Sequence, residues 1–314
     1  MTSSKPEPAG ERRWTWLLLL LALAASAWLV QRATRHPVAV TRRPELLSLV
    51  PSGPELLVTV DVESLGATGA EELLRAGGDA LLGLRQRCGF EPILGLRRVV
   101  FAMPFSVGDQ ASGDFALIAE TSLRQEPVLR CAETMIRKRG GNPVRSSLGA
   151  FTSVRDQTKP LGEVAMRADG LFIMSGGQYF RDVIDTATGA VRGDDAARVR
   201  SQVHLAMRRK LGSSQLVLTL IPGAKLPLPD VQALGLGLEV GRELELRGFV
   251  GCASEAGCSD ARGLVLRMKS ELGREPSVSG LASLSVVQQK EQLLISGRLP
   301  RSQLAPLLSQ LIAP

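Results

Sequence analysis

Four cysteines are the side chains of this 314-residue chain with the clearest chemistry open to them, and their spacing raises a disulfide question first. In the segment GCASEAGC, Cys252 and Cys258 stand six apart, with Gly251 and Gly257 beside them. They fall between a predicted strand end and a predicted helix start, where one bridge could staple a short loop in an oxidising compartment. The other two are Cys88, just before the Gly89-Phe90 turn into the sheet, and Cys131, on the inward face of a predicted helix. They form either a second bridge or two buried free thiols behaving as small apolar groups. With no CxxC pair and only His36 and His204 as histidines, no metal site and no cofactor is expected.

Acid-base chemistry has few candidates. Asp61 and Glu63 end the first predicted strand and Glu120 ends the third, and surface or helix-capping roles suit all three better than proton transfer. Gly235, Gly237 and Gly241 superficially match a dinucleotide loop. That loop needs a helix N-terminus directly after it, whereas GLEVGRELELRGFV continues as an alternating strand, so these are read as strand glycines. Tyr179, the single tyrosine, opens a helix after Gly176-Gly177 and is placed at a core edge. The chain has no Gly-x-Ser-x-Gly elbow, no Ser-x-x-Lys pair and no Walker loop. No catalytic residue is named, and the reading leans away from an enzyme.

The elements that must position these residues follow from periodicity. Strands are predicted at 55–62, 98–104, 114–121, 148–155, 163–167 and 171–175, with helices at 71–84, at 124–139 and around Phe180, Val183, Ile184 and Ala187. A helix over 194–211 follows, its Arg208-Arg209-Lys210 end and Gly212 being ordinary dipole and capping choices. Strands at 215–221, 234–240 and 243–250 come next, then a helix over 259–272 with Leu264, Val265, Met268 and Leu272 inward. A hairpin of 281–287 and 292–297 leads to a last helix carrying Leu304, Leu307, Leu308 and Leu311. LFIMSG at 171 and LLISG at 293 precede the two helices with this same i, i+3, i+4, i+7 spacing. The fold expected is α+β, in two similar halves at 55–190 and 191–314, each an antiparallel sheet with helices packed on it.

The first residues are of another kind. Trp14 to Val30 is an uncharged run of 17, bracketed by Arg12 and Arg13 before it and Arg32 and Arg35 after it. At about 1.5 Å per residue it reaches roughly 26 Å, near the thickness of a hydrocarbon core. Trp14, Trp16 and Trp28, the only tryptophans, sit where interfacial belts lie. Residues 14–30 are therefore read as a transmembrane signal-anchor, with 1–13 cytoplasmic and 31–54 a proline-containing stalk. A signal peptide cleaved after Ala25-Ser26-Ala27 is the alternative.

The net charge of +7 does not indicate nucleic acid. The first 43 residues hold seven basic and two acidic side chains, leaving 31 basic against 29 acidic beyond them. Outside the anchor the aromatics are one Tyr and eight Phe, a poor surface for stacking bases or sugars. The juxtamembrane arginines suit lipid headgroups.

The anchor, the stalk, the start LVPSGPELLVTVDVESL, the segment CGFEPILGLRRVVFAM and the closing hairpin and helix together resemble membrane-anchored periplasmic proteins of GC-rich Gram-negative, myxobacterial-type bacteria. That resemblance implies the inner membrane with a periplasmic C-terminal domain, and no activity or catalytic residues. The function expected is a non-enzymatic envelope scaffold or accessory acting through protein contacts, its partners being membrane lipid along 14–30 and an envelope protein. The alternative is a small-molecule or lipid-binding module with a cleft between the halves.

Overall fold

The computed structural model describes residues 46–50, 55–67, 86–89, 95–103, 114–159, 162–177, 179–189, 195–222, 230–274 and 276–303. The anchor with Trp14, Trp16 and Trp28, most of the stalk, the predicted helix at 71–84 and the leucine-bearing segment 304–314 lie outside the described residues. Among the described residues no helix is long and apolar enough to cross a membrane.

Twelve strands make one antiparallel sheet. In chain order they are β1 (Leu56–Asp61), β2 (Leu96–Met103), β3 (Phe115–Thr121), β4 (Pro143–Leu148), β5 (Phe151–Asp156), β6 (Glu163–Arg167), β7 (Leu171–Gly176), β8 (Leu216–Leu220), β9 (Val231–Val240), β10 (Glu243–Cys252), β11 (Ser285–Gln289) and β12 (Gln292–Pro300). Among the described residues the helices are α1 (Val62–Ala67), α2 (Gln125–Lys138), α3 (Tyr179–Thr188), α4 (Asp195–Leu211) and α5 (Glu255–Leu272), with 3-10 turns at Leu46–Leu49, Pro276–Ser283 and Arg301–Gln303. The spatial order is β11-β12-β10-β9-β8-β1-β2-β3-β7-β6-β5-β4. Antiparallel neighbours let short turns join five of the strand pairs, as at Asp169-Gly170, where Gly170 takes φ +92° against the Thr121 carbonyl.

The protein is thus α+β with helices packed on an antiparallel sheet. The sheet is continuous: where two separate sheets would meet, β1 and β8 form a hydrogen-bonded ladder pairing Leu56 with Leu220 and Val60 with Leu216. Outward from that ladder the order is β1-β2-β3-β7 on one side and β8-β9-β10-β12 on the other, with α2 following β3 and α5 following β10.

Burial explains the strand compositions. All seven residues of β3 are buried, because helices cover both faces of the sheet there, and its sequence FALIAET is apolar almost throughout. One face carries Leu56, Val58, Val99, Phe101, Leu117, Leu216 and Leu244 beneath α1 and the 276–283 turn. The helices α2 and α5 flank this region on the same face, Phe172 and Ile295 joining their cores to it. The opposite face seats α3 on Ile118, Ile173 and Phe151, and α4 on Val217, Ala233 and Phe249.

Several boundaries differ from the periodic reading. A hairpin of β4 and β5 stands where one strand at 148–155 was expected, since PVRSSL has too little apolar alternation to mark β4. Residues 276–283 form a 3-10 turn where a strand start at 281 was expected, and Leu281 in it and Leu284 just after it serve the core. The helix α5 begins at Glu255 and not at 259, because Ser254 caps it by accepting the Gly257 N–H at 3.0 Å.

Candidate functional site

Both cysteine pairs are bridged. Cys252 ends β10 and Cys258 lies in the first turns of α5, Cα atoms 5.4 Å apart, and both are buried beside Leu293 and Val250. Cys88 joins Cys131 on α2 with Cα atoms 4.9 Å apart, tying the stretch before β2 to the helix after β3. Among the described residues no cysteine is free. Two disulfides in one modest domain fit an oxidising, extracytoplasmic compartment.

The carboxylates hold structural posts. Asp61 accepts the Ser64 N–H at 2.9 Å and so caps the short helix α1, whose first turn contains Glu63. Glu120 is 5 % exposed and is gripped from the neighbouring strand by Arg98, whose Nε and Nη2 donate to its two oxygens at 3.0 and 2.7 Å. This two-point pairing occupies both oxygens and leaves the carboxylate little room to act as a base. His204 of α4 is buried with Nδ1 2.7 Å from Thr219 Oγ1, beneath the β1·β8 ladder. Tyr179, the first residue of α3, is buried in the core that this helix forms with Ile118, Ile173 and Phe151. Gly235 and Gly237 lie in β9 where the end of α4 crosses, and a Cβ on Gly237 would collide with the Ser214 side chain. They are close-packing glycines.

Two charged groups sit outside this set. On α3, burial, then Asp185 and Asp114, push the Asp182 carboxyl above its ordinary value. A group with that shift favours its protonated form in the fold, so it detracts from stability in full above its folded pKa, by less as pH falls through it, and not at all below its unfolded value. At the β4 edge, Arg145 donates to Glu126 at 2.8 and 3.0 Å and also to Glu133, and its hydrogen bond is the leading cause holding Glu126 below the usual range. Among the described residues no group of His, Cys, Asp and Glu is arranged to hold a metal.

Exposed large apolar side chains lie on α4, where Val203 and Leu205 are 36 % and 41 % exposed, on β11 and, most numerously, on α5. Over 18 residues this helix buries only Gly257 and Cys258, while Leu266, Met268 and Leu272 stay 38 %, 50 % and 36 % exposed. Met268 and Leu272 share the apolar stripe that periodicity assigned to the core. The stripe exists, but only the N-terminal turns of the helix, held by the Cys252–Cys258 bridge, reach the sheet closely. β11 ends the sheet beside it, with Val287 46 % exposed on the opposite face, the one that seats α4. No sequence signal separates an apolar stripe that is covered from one that is left open.

One known structure shares this architecture. Crystal form III of the Treponema protein TP0453 superposes with a TM-score of 0.54 over 85 % of this chain and 99 % of that one, at 14 % identity. Crystal form I of the same protein gives 0.49 at 13 % identity, over 87 % and 99 %. At such identity the likeness is one of fold. No family model and no curated protein matches the chain.

Proposed function

We propose that this protein is a non-enzymatic accessory of the bacterial cell envelope, tethered by residues 14–30 in the inner membrane with its C-terminal domain in the periplasm, and acting through protein contacts. The observation that carries the reading is the open apolar surface of α5. Met268, a methionine that adapts to varied partners, and Leu272 share one exposed stripe of the helix, with Leu266 exposed on its other side. The bridges support a periplasmic rather than cytoplasmic domain. The matching order of strands about the β1·β8 ladder supports an origin of the two halves by duplication.

A second reading, binding of a small apolar molecule or lipid, is favoured by partly buried Met103, Met174, Leu218 and Leu220 along the face that spans both halves. Such a ligand would lie over the continuous sheet between α2 and α5.

A photo-crosslinking residue at position 268 of the full chain, in its own membranes, decides between them. A discrete protein adduct, lost when Leu272 is changed to Ser and absent from a probe at Ser147, is the expected outcome. Adducts to lipid, or equal adducts from both probes, would contradict the protein-contact reading.

A further inference from the structure

The two edges of the sheet are built differently, and the difference bears on self-association. A strand at an edge offers unpaired N–H and C=O groups to any other strand, and natural proteins blunt such edges with proline and charge. At β4 both devices are present. Leu148 and Phe151 flank a two-residue turn and form a hydrogen-bonded pair, so Pro143, Arg145 and Ser147 point their backbone groups away from β5. Pro143 has no N–H to offer, and Arg145 is fixed across the edge by Glu126 and Glu133 from α2.

At β11 neither device appears. Its sequence, Ser285-Val286-Val287-Gln288-Gln289, has no proline and no charge, and two of its five residues are β-branched valines. Gln289 and Gln292 flank the Lys290-Glu291 turn, with Lys290 at φ +53°, so Ser285, Val287 and Gln289 bond to β12 while Val286 and Gln288 turn their N–H and C=O outward. No described strand lies beyond them.

We propose that β11 pairs with the β11 of a second copy of this chain, antiparallel about a two-fold axis at Val287. Val286 then exchanges two backbone hydrogen bonds with the partner's Gln288, and Gln288 does the same with the partner's Val286. The two Val287 side chains meet at the non-hydrogen-bonded position on the axis, where strands bring side chains closest. The strand suits a second copy because it is neutral: an isologous contact places each residue against its own sequence, and only an uncharged strand does that without like-charge repulsion. The same pairing at β4 would set Arg145 near its own copy and waste the Pro143 position. Pairing over five residues is a small contact, so it serves copies already concentrated in one membrane plane. It rests on the membrane tether of the proposed function and not on its protein partner, and self-pairing at Val287 and a foreign partner at Met268 are detected separately.

The test is disulfide trapping of the full chain in its native membranes, comparing Val287→Cys with Ser147→Cys at the opposite edge. The two paired copies of residue 287 sit at a separation suited to a bridge, so Val287→Cys should give a reducible homodimer roughly tenfold faster than Ser147→Cys. Adding Val286→Pro, which removes an outward N–H without touching the β12 ladder, should return the rate to the Ser147→Cys level. Equal trapping at the two edges, a Val287→Cys adduct with another protein in place of itself, or trapping unaffected by Val286→Pro would overturn the proposal.

Discussion

Arg98 and Glu120 show how a carboxylate beside an apolar strand is held. Glu120 is nearly excluded from water while half of the Arg98 side chain remains in it, so the pair is a clamp fixed from one side. Truncating Arg98 leaves a buried anion with its two best donors gone, whereas Glu120→Gln keeps an acceptor and removes the charge. Arg98→Ala should therefore lower unfolding free energy by about 2 kcal/mol, discounted for the exposed guanidinium, and Glu120→Gln by less than about 1 kcal/mol. Urea denaturation of both variants checks the order, and equal losses would show that the charge is not what the clamp answers. Sequence alone placed Glu120 at the end of its strand. It could not show burial or the partner, because Arg98 lies 22 residues away and meets it only through the β2·β3 register. Asp61 was more legible, since a cap acts three residues along the chain and leaves a local trace.

At the scale of elements, periodicity found most strands and the helices α2, α3, α4 and α5, because each spreads its apolar residues at a regular interval over two or more turns or pleats. It missed α1, a single six-residue element, and β4, whose partner β5 is supplied by the next turn. It also misjudged α5, whose stripe is regular but only partly covered. The two bridges join elements in unequal ways. Cys252–Cys258 closes a loop of six residues, and Cys88–Cys131 one of 43. On the chain-entropy account, removing the first pair should cost about 2 kcal/mol and removing the second about 4 kcal/mol. Thermal unfolding of the two double Cys→Ala variants checks this, and a larger loss from the short loop would show that the N-terminal turn of α5 depends on its staple for more than loop closure.

The described residues make one sheet with a guarded and an unguarded end and an open helix beside the unguarded end, and a hydrophobic segment at 14–30 precedes them in the sequence. The sequence signalled the two-part order of elements through LFIMSG and LLISG, and these segments are now β7 and most of β12, each paired to the strand before its half's long helix. That the parts share one sheet was not legible, because the β1·β8 ladder joins residues some 160 positions apart and leaves no local pattern. The open surface of α5 was illegible for the same reason: exposure belongs to the assembled fold.

The central claim is an oxidised domain held outside the cytoplasm by its N-terminal segment, and intact mass of the protein from fractionated cells, alkylated with and without prior reduction, tests it most directly. The account predicts a full-length mass in the membrane fraction, with no alkylation before reduction and four alkyl groups after it. A soluble product beginning near Trp28 would contradict the tether, and cysteines alkylated without reduction would contradict the oxidised, extracytoplasmic domain itself.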